Sequence, residues 1–154
     1  MELKFSDILY NELLVSAVCS WLIAQLLKLI ISSIKNRSFD ITWLFMDGGM
    51  PSGHSATVSA LATASALCYG FGSSQFAITA ILAIVVMHDA MGIRLESGKQ
   101  AQAINEVMDY LKTGTFMTNI KKLKEALGHT PLQVILGSAV GIAIATVMHY
   151  CILG

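Results

Sequence analysis

Two histidines stand out because each sits where a helix is expected to begin. His54 lies in the stretch Asp47-Gly48-Gly49-Met50-Pro51-Ser52-Gly53-His54-Ser55, between two long apolar runs. Two glycines free the backbone there, Pro51 suits a first helical turn, and Ser52 or Ser55 can cap it. His129 lies in Gly128-His129-Thr130-Pro131-Leu132-Gln133, where Thr130 and Gln133 have the spacing of a capping box and Pro131 the first helical position. A helix start offers unpaired N–H groups and the positive end of a dipole, so it favours an anion. A histidine beside such a site can take or give a proton near neutral pH. Taken alone, the His54 stretch reads more simply as a turn that starts a helix.

The elements that must position these groups are membrane helices. Of 154 residues, 55% are hydrophobic and only 13% charged, and the mean hydropathy is +0.65. A soluble domain carries about 25% charge. The formal net charge is zero, so nothing points to nucleic acid. Cys19, Cys68 and Cys151 all fall inside apolar runs, which argues against a disulfide framework. The first residues, Met1 to Asp7, lack the basic start and small-residue cleavage site of a signal peptide. The expected fold is a single all-α domain over 1–154: a polytopic membrane bundle of about four spanning helices, with two short amphipathic helices in the 94–128 connection.

The first span runs to Ile34 from within the apolar run that begins at Ile8. Between Leu13 and Ile34 only Gln25 and Lys28 are strongly polar. A lysine inside a span is costly; it either faces a partner or wet cavity, or snorkels to the interface. Lys35 lies two turns further on the same face, about 10 Å along the axis. The second span, Ser52 to Gly70, repeats small residues every fourth position: Ser55, Ser59, Thr63 and Ala56, Ala60, Ala64. Such rows let membrane helices approach closely. The third, from Gln75 to about Gly92, is nearly free of polar groups until His88 and Asp89. The last, Pro131 to Leu153, carries the row Gly137, Gly141, Ala145. Between the last two, Ser97 to Lys112 and Phe116 to Leu127 show helical apolar stripes.

Four spans put both long connections on one side of the membrane. Those connections hold Lys35, Arg37, Arg94, Lys99, Lys112, Lys121, Lys122 and Lys124, against Lys4 on the other side. The positive-inside rule makes the connections cytoplasmic and places both termini outside. The second and fourth spans then start at the same depth, bringing His54 and His129 face to face. Lys28 and Lys35 approach from the end of the first span, and Asp89 and Arg94 from the end of the third. Two histidines, several cations and oriented N–H groups make a pocket for a phosphate, and one carried on a lipid lies at this depth.

These motifs resemble a known family. Pro51-Ser52-Gly53-His54 is similar to the second signature of the type 2 phosphatidic acid phosphatases, relatives of the vanadium-dependent haloperoxidases. The segment from Leu127 to Gly141 is similar to the end of their third signature, and Lys28 and Lys35 have the spacing of their first. The divergent branch of this superfamily matches best, through Gly48-Gly49-Met50-Pro51-Ser52 and Asp89-Ala90-Met91-Gly92-Ile93-Arg94. The resemblance implies a phosphatase in which His129 is the nucleophile and His54 the acid-base partner. Lys28, Lys35, Ser52 and Gly53 would hold phosphate. Lys35 stands where the family has arginine, Leu123 where its third signature has another, and Gln133 where it has an aspartate. Arg94 is the favoured substitute for the missing arginine, and Asp89 and Gln133 are supporting residues.

Asp89 with Asp47 or Glu96 could hold a divalent cation, but the implied chemistry needs none, and neither metal nor cofactor is expected. The expected partners are the lipid bilayer and a lipid phosphate or isoprenyl diphosphate substrate. The small-residue rows serve packing within the bundle or a homodimer equally well. Two functions remain: a membrane phosphatase acting through a phosphohistidine, and a non-catalytic membrane protein that keeps the pocket for binding.

Overall fold

The computed structural model describes residues 5–44, 49–112, 123 and 128–153, with backbone only at 5–7, 43–44, 93–95, 110–112 and 153. The described residues form helices α1 (Glu12–Asn36), α2 (Gly53–Tyr69), α3 (Ser74–Met91), α4 (Ile93–Lys112) and α5 (Pro131–Val147). Short 3-10 turns lie at Phe5–Tyr10 and Ile41–Leu44, and the chain after α5 continues as a π-helical turn, Met148–Leu153. The chain is an all-α membrane bundle.

Caps set the helix starts. Asn11 accepts a hydrogen bond from the Leu14 N–H at 3.1 Å, which starts α1 one residue after the first 3-10 turn. The early apolar residues Ile8 to Tyr10 therefore precede the spanning helix rather than extend it. Ser73 caps α3 through the Phe76 N–H. Ser52 caps α2 through the Ser55 N–H. Pro51 is thus outside α2, before its cap, joined to Met50 by a cis peptide bond; the expected first-turn role for this proline does not hold. Pro131 does take the first turn of α5. The amphipathic helix expected from Ser97 begins earlier, at Ile93, because α4 follows α3 with only Gly92 between them. The second expected amphipathic helix, 116–127, lies outside the described residues apart from Leu123.

Among the described residues, three helical runs are long and apolar enough to cross a membrane: Glu12–Asn36, Ser74–Asp109 (which contains α3) and Pro131–Ile152. At 17 residues α2 is shorter, yet it runs from one end of the bundle to the other. Its first turn lies beside His129, before α5, and its last turn beside Glu12, at the start of α1. It packs against α1, α3 and α5, most closely α5. A helix so enclosed needs little lipid-facing apolar surface, which explains the serines and threonines along it.

The core is built from small side chains. Ala24, Ala56, Ala60, Ala64, Ala145, Ser16, Ser20 and Ser65 are fully buried, whereas Leu26, Ile30, Ile78, Ile81 and Ile135 face outward. Apolar bulk outside and small residues inside is the pattern of helices that associate by close approach in lipid. The α2–α5 contact shows why. A Cβ added at Gly137 would strike the Ser52 carbonyl oxygen, and one at Gly141 the Ala56 carbonyl oxygen. The two backbones touch along this line, and the Ser52 N–H donates to the Gln133 carbonyl at 3.1 Å.

Candidate functional site

The close α2–α5 crossing brings the two histidines together. Their ring centroids are 6.3 Å apart at an interplanar angle of 60°. His54, in the first turn of α2, is exposed, and His129, just before α5, is buried. The His129 backbone N–H donates to the Ala90 carbonyl at 3.0 Å. The end of α3 therefore holds the segment that carries His129, and Asp89, half-buried, adjoins that contact.

Gln133 has a double role. Its side-chain oxygen accepts from the Thr130 N–H at 3.0 Å and lies 3.2 Å from His129 Nδ1. The Thr130 bond identifies that atom as the amide oxygen, an acceptor only, so in neutral His129 Nδ1 carries the proton and Nε2 the lone pair. The cap and the orientation of the histidine are thus set by one atom. Burial holds the His129 pKa below its ordinary value, helped by the nearby His54 and Lys28 charges. The hydrogen bonds to Gln133 and to the Gly49 backbone act in the opposite direction.

Lys28 reaches the same region from α1. It ends a buried row, Ser16, Ser20, Ala24 and Lys28, with one residue per turn facing the bundle. Gly49 lies over its stem: with φ at +87°, a Cβ there would come within 3.0 Å of Lys28 Cδ. A glycine is required at this point on both counts. Lys28 is therefore a buried cation close enough to act on His129, not a lysine that snorkels away.

Ser52 is buried, with its hydroxyl accepting from the Ser55 N–H and, at 3.0 Å, the Ser55 hydroxyl. Gly53 opens α2 and packs against Trp21 and Gln25 of α1. By the geometry of any helix start, the Gly53 and His54 N–H groups point off the end of the helix. Lys35 lies exposed in the last turn of α1. Arg94 lies in the first turn of α4, with its side chain outside the description. The structure thus gathers His54, His129, Gln133, Lys28, Ser52 and Gly53, and leaves Lys35 at the rim. Asp47, Lys121, Lys122 and Lys124 lie outside the described residues.

Two features were not apparent from sequence. Asn105, buried on α4, donates to the Leu123 carbonyl and accepts from the Leu123 N–H, both at 2.9 Å. It holds the backbone where the resemblance expects an arginine. Its signal, an asparagine within a polar helix, is too common to single out. The other is an apolar cavity of about 380 Å³ between α1 and α5. Leu27 and Ile31 form one wall, Leu136, Ala139, Val140 and Ala143 the other, and Met50 and Pro51 the end.

Comparison with known proteins places the chain in a family. No solved structure matches. An uncharacterized membrane protein of Bacillus subtilis (strain 168), YuiD, is 39% identical over 155 residues, covering 94% of this chain and 98% of that protein. Residues 9–144 match the Divergent PAP2 family, a range that contains both histidines, Lys28, Gln133 and the two glycines of the α2–α5 crossing. By that match and by its apolar helical bundle, the chain is a membrane protein belonging to the Divergent PAP2 family.

Proposed function

We propose that this protein is a lipid-phosphate or isoprenyl-diphosphate phosphatase, a single membrane domain working through a phosphohistidine. The observation that carries the reading is the pairing of His54 and His129 across 6.3 Å with buried Lys28 beside them. Two contacts of hydrogen-bond length in series span roughly 5–6 Å, so both rings can reach one phosphoryl group. His129 Nε2 attacks phosphorus while the P–O bond to the leaving lipid alcohol or phosphate breaks. His54 gives that oxygen its proton. His54 then takes a proton from water, whose oxygen attacks phosphorus, breaks the N–P bond and releases inorganic phosphate. Lys28 and the Gly53 and His54 N–H groups stabilise the equatorial oxygens; Lys35 and Arg94 draw the anion in from the flanks. Asp89 supports the end of α3 against the His129 segment. The apolar cavity beside Pro51 takes the hydrocarbon chain, and its size falls within the range of ordinary ligand pockets.

A second reading, a phosphate-binding protein without turnover, is favoured by Gln133 and Leu123. Glutamine orients His129 but adds no charge to stabilise an imidazolium, and Leu123 replaces a cation. Phosphate release by purified protein from a panel of lipid phosphates and isoprenyl diphosphates separates the two. The phosphatase reading expects release, abolished in His129→Ala and lowered roughly 10²–10⁴-fold in His54→Ala, the usual worth of a general acid. No release from any substrate, with binding retained, selects the second reading.

A further inference from the structure

The end of the bundle opposite the histidine pair holds a second cluster of reactive side chains. Glu12 comes from the first turn of α1, Cys68 from the last turn of α2, and His149 from the π-helical turn after α5. One ligand atom from each lies within 4.8 Å of the other two. His149 Nδ1 is 2.7 Å from Glu12 Oε1, and the Cys68 thiol interacts with the same carboxylate. Cys68 lies fourteen positions after His54 along α2, or about 21 Å at the helical rise.

We infer that Glu12, Cys68 and His149 form a binding site for one divalent transition-metal ion, best suited to Zn²⁺. A carboxylate, an imidazole and a thiolate together are a donor set for zinc, and three protein ligands leave a fourth position for water. Ideal tetrahedral coordination separates ligand atoms by about 3.4–3.7 Å, from the usual metal–ligand lengths. The three ligand atoms, all within 4.8 Å of one another, reach that size by side-chain shifts on the order of 1 Å. The His149–Glu12 contact is tighter because a proton bridges the two in the metal-free form, and the ion replaces the proton. A stabilising hydrogen bond between Glu12 and His149 needs no third group, and the thiol is what makes the set a metal site. The wider π-helical turn sets the backbone register at His149, and such turns recur at functional sites. Glu12 and His149 are half-buried and Cys68 is exposed, so the open position faces outward. The ion would clasp three helices at the end remote from the histidine pair, where the sequence pointed to no metal.

Cobalt(II) titration of the purified protein, without a polyhistidine tag and with Cys19→Ser and Cys151→Ser, tests the site. One ion per chain should bind with a thiolate-to-cobalt charge-transfer band, and Zn²⁺ should displace it. Cys68→Ser should lose the band, and Glu12→Gln and His149→Ala should each weaken binding at least tenfold. Cys68→Ala and His149→Gln replace any variant that fails to fold. Absence of the band from the parent protein, or a band that survives loss of Cys68, overturns the site.

Discussion

Gln133 has one acceptor oxygen shared by a helix cap and a histidine, and His129 depends on it. The ring is buried, and burial, with His54 and Lys28 nearby, holds its pKa below the ordinary 6.5. The unfolded chain then binds a proton at about that ordinary value while the folded chain does not. Stability therefore falls as pH drops through 6.5 and stops falling below the folded pKa. Thermal unfolding in detergent should show this acid-side loss, and His129→Asn, which cannot titrate, should show less of it. Parallel pH profiles for the two proteins would contradict the assignment. At this scale His54, His129, Lys28 and Gln133 were legible because rare polar types sat at helix starts or inside an apolar span. Glu12, Cys68 and His149 were not. Each lies at the end of a different helix, and only the packed bundle shows that those ends coincide.

Among the elements, α2 and α5 decide the site, because their contact sets the distance between the histidines. Here two effects oppose each other. Alanine is better than glycine inside a helix by up to about 1 kcal/mol. A Cβ at Gly141, however, meets the Ala56 carbonyl, and backbone cannot turn aside as a side chain can. Overpacking costs about 1–3 kcal/mol, so the clash wins. Gly141→Ala should lower the unfolding temperature, whereas Gly72→Ala, with nothing within 4 Å of its added Cβ, should not. A stabilised Gly141→Ala would mean that the helices do not touch there. The rows on α2 and α5 were visible in the sequence as small residues every fourth position. The equivalent row on α1, ending in Lys28, has the same period but was masked by the larger residues around it. Pro51 misled because a proline before a cap and one in a first turn differ by two positions, and Ser52 and Ser55 both qualified as caps.

For the whole molecule, the all-α membrane bundle followed from hydropathy. The central place of α2 did not, since a short helix rich in serine and threonine looks the least suited to a membrane until its neighbours enclose it. The direction of the bundle is a separate matter of charge. We propose cytoplasmic connections and external termini from the excess of lysine and arginine in the sequence of the 35–51 and 94–130 connections. In a variant whose three native cysteines are replaced, Gln100→Cys on exposed α4 and Gly72→Cys in the exposed α2–α3 turn report opposite sides. An impermeant thiol reagent added to intact cells should label the cysteine at 72 and leave that at 100 untouched, and inverted vesicles should reverse the pattern. The opposite result would put the histidine pair outside the cell. A substrate would then have to present its phosphate from the outer leaflet, while the Glu12–Cys68–His149 cluster would face the cytoplasm, where thiols stay reduced.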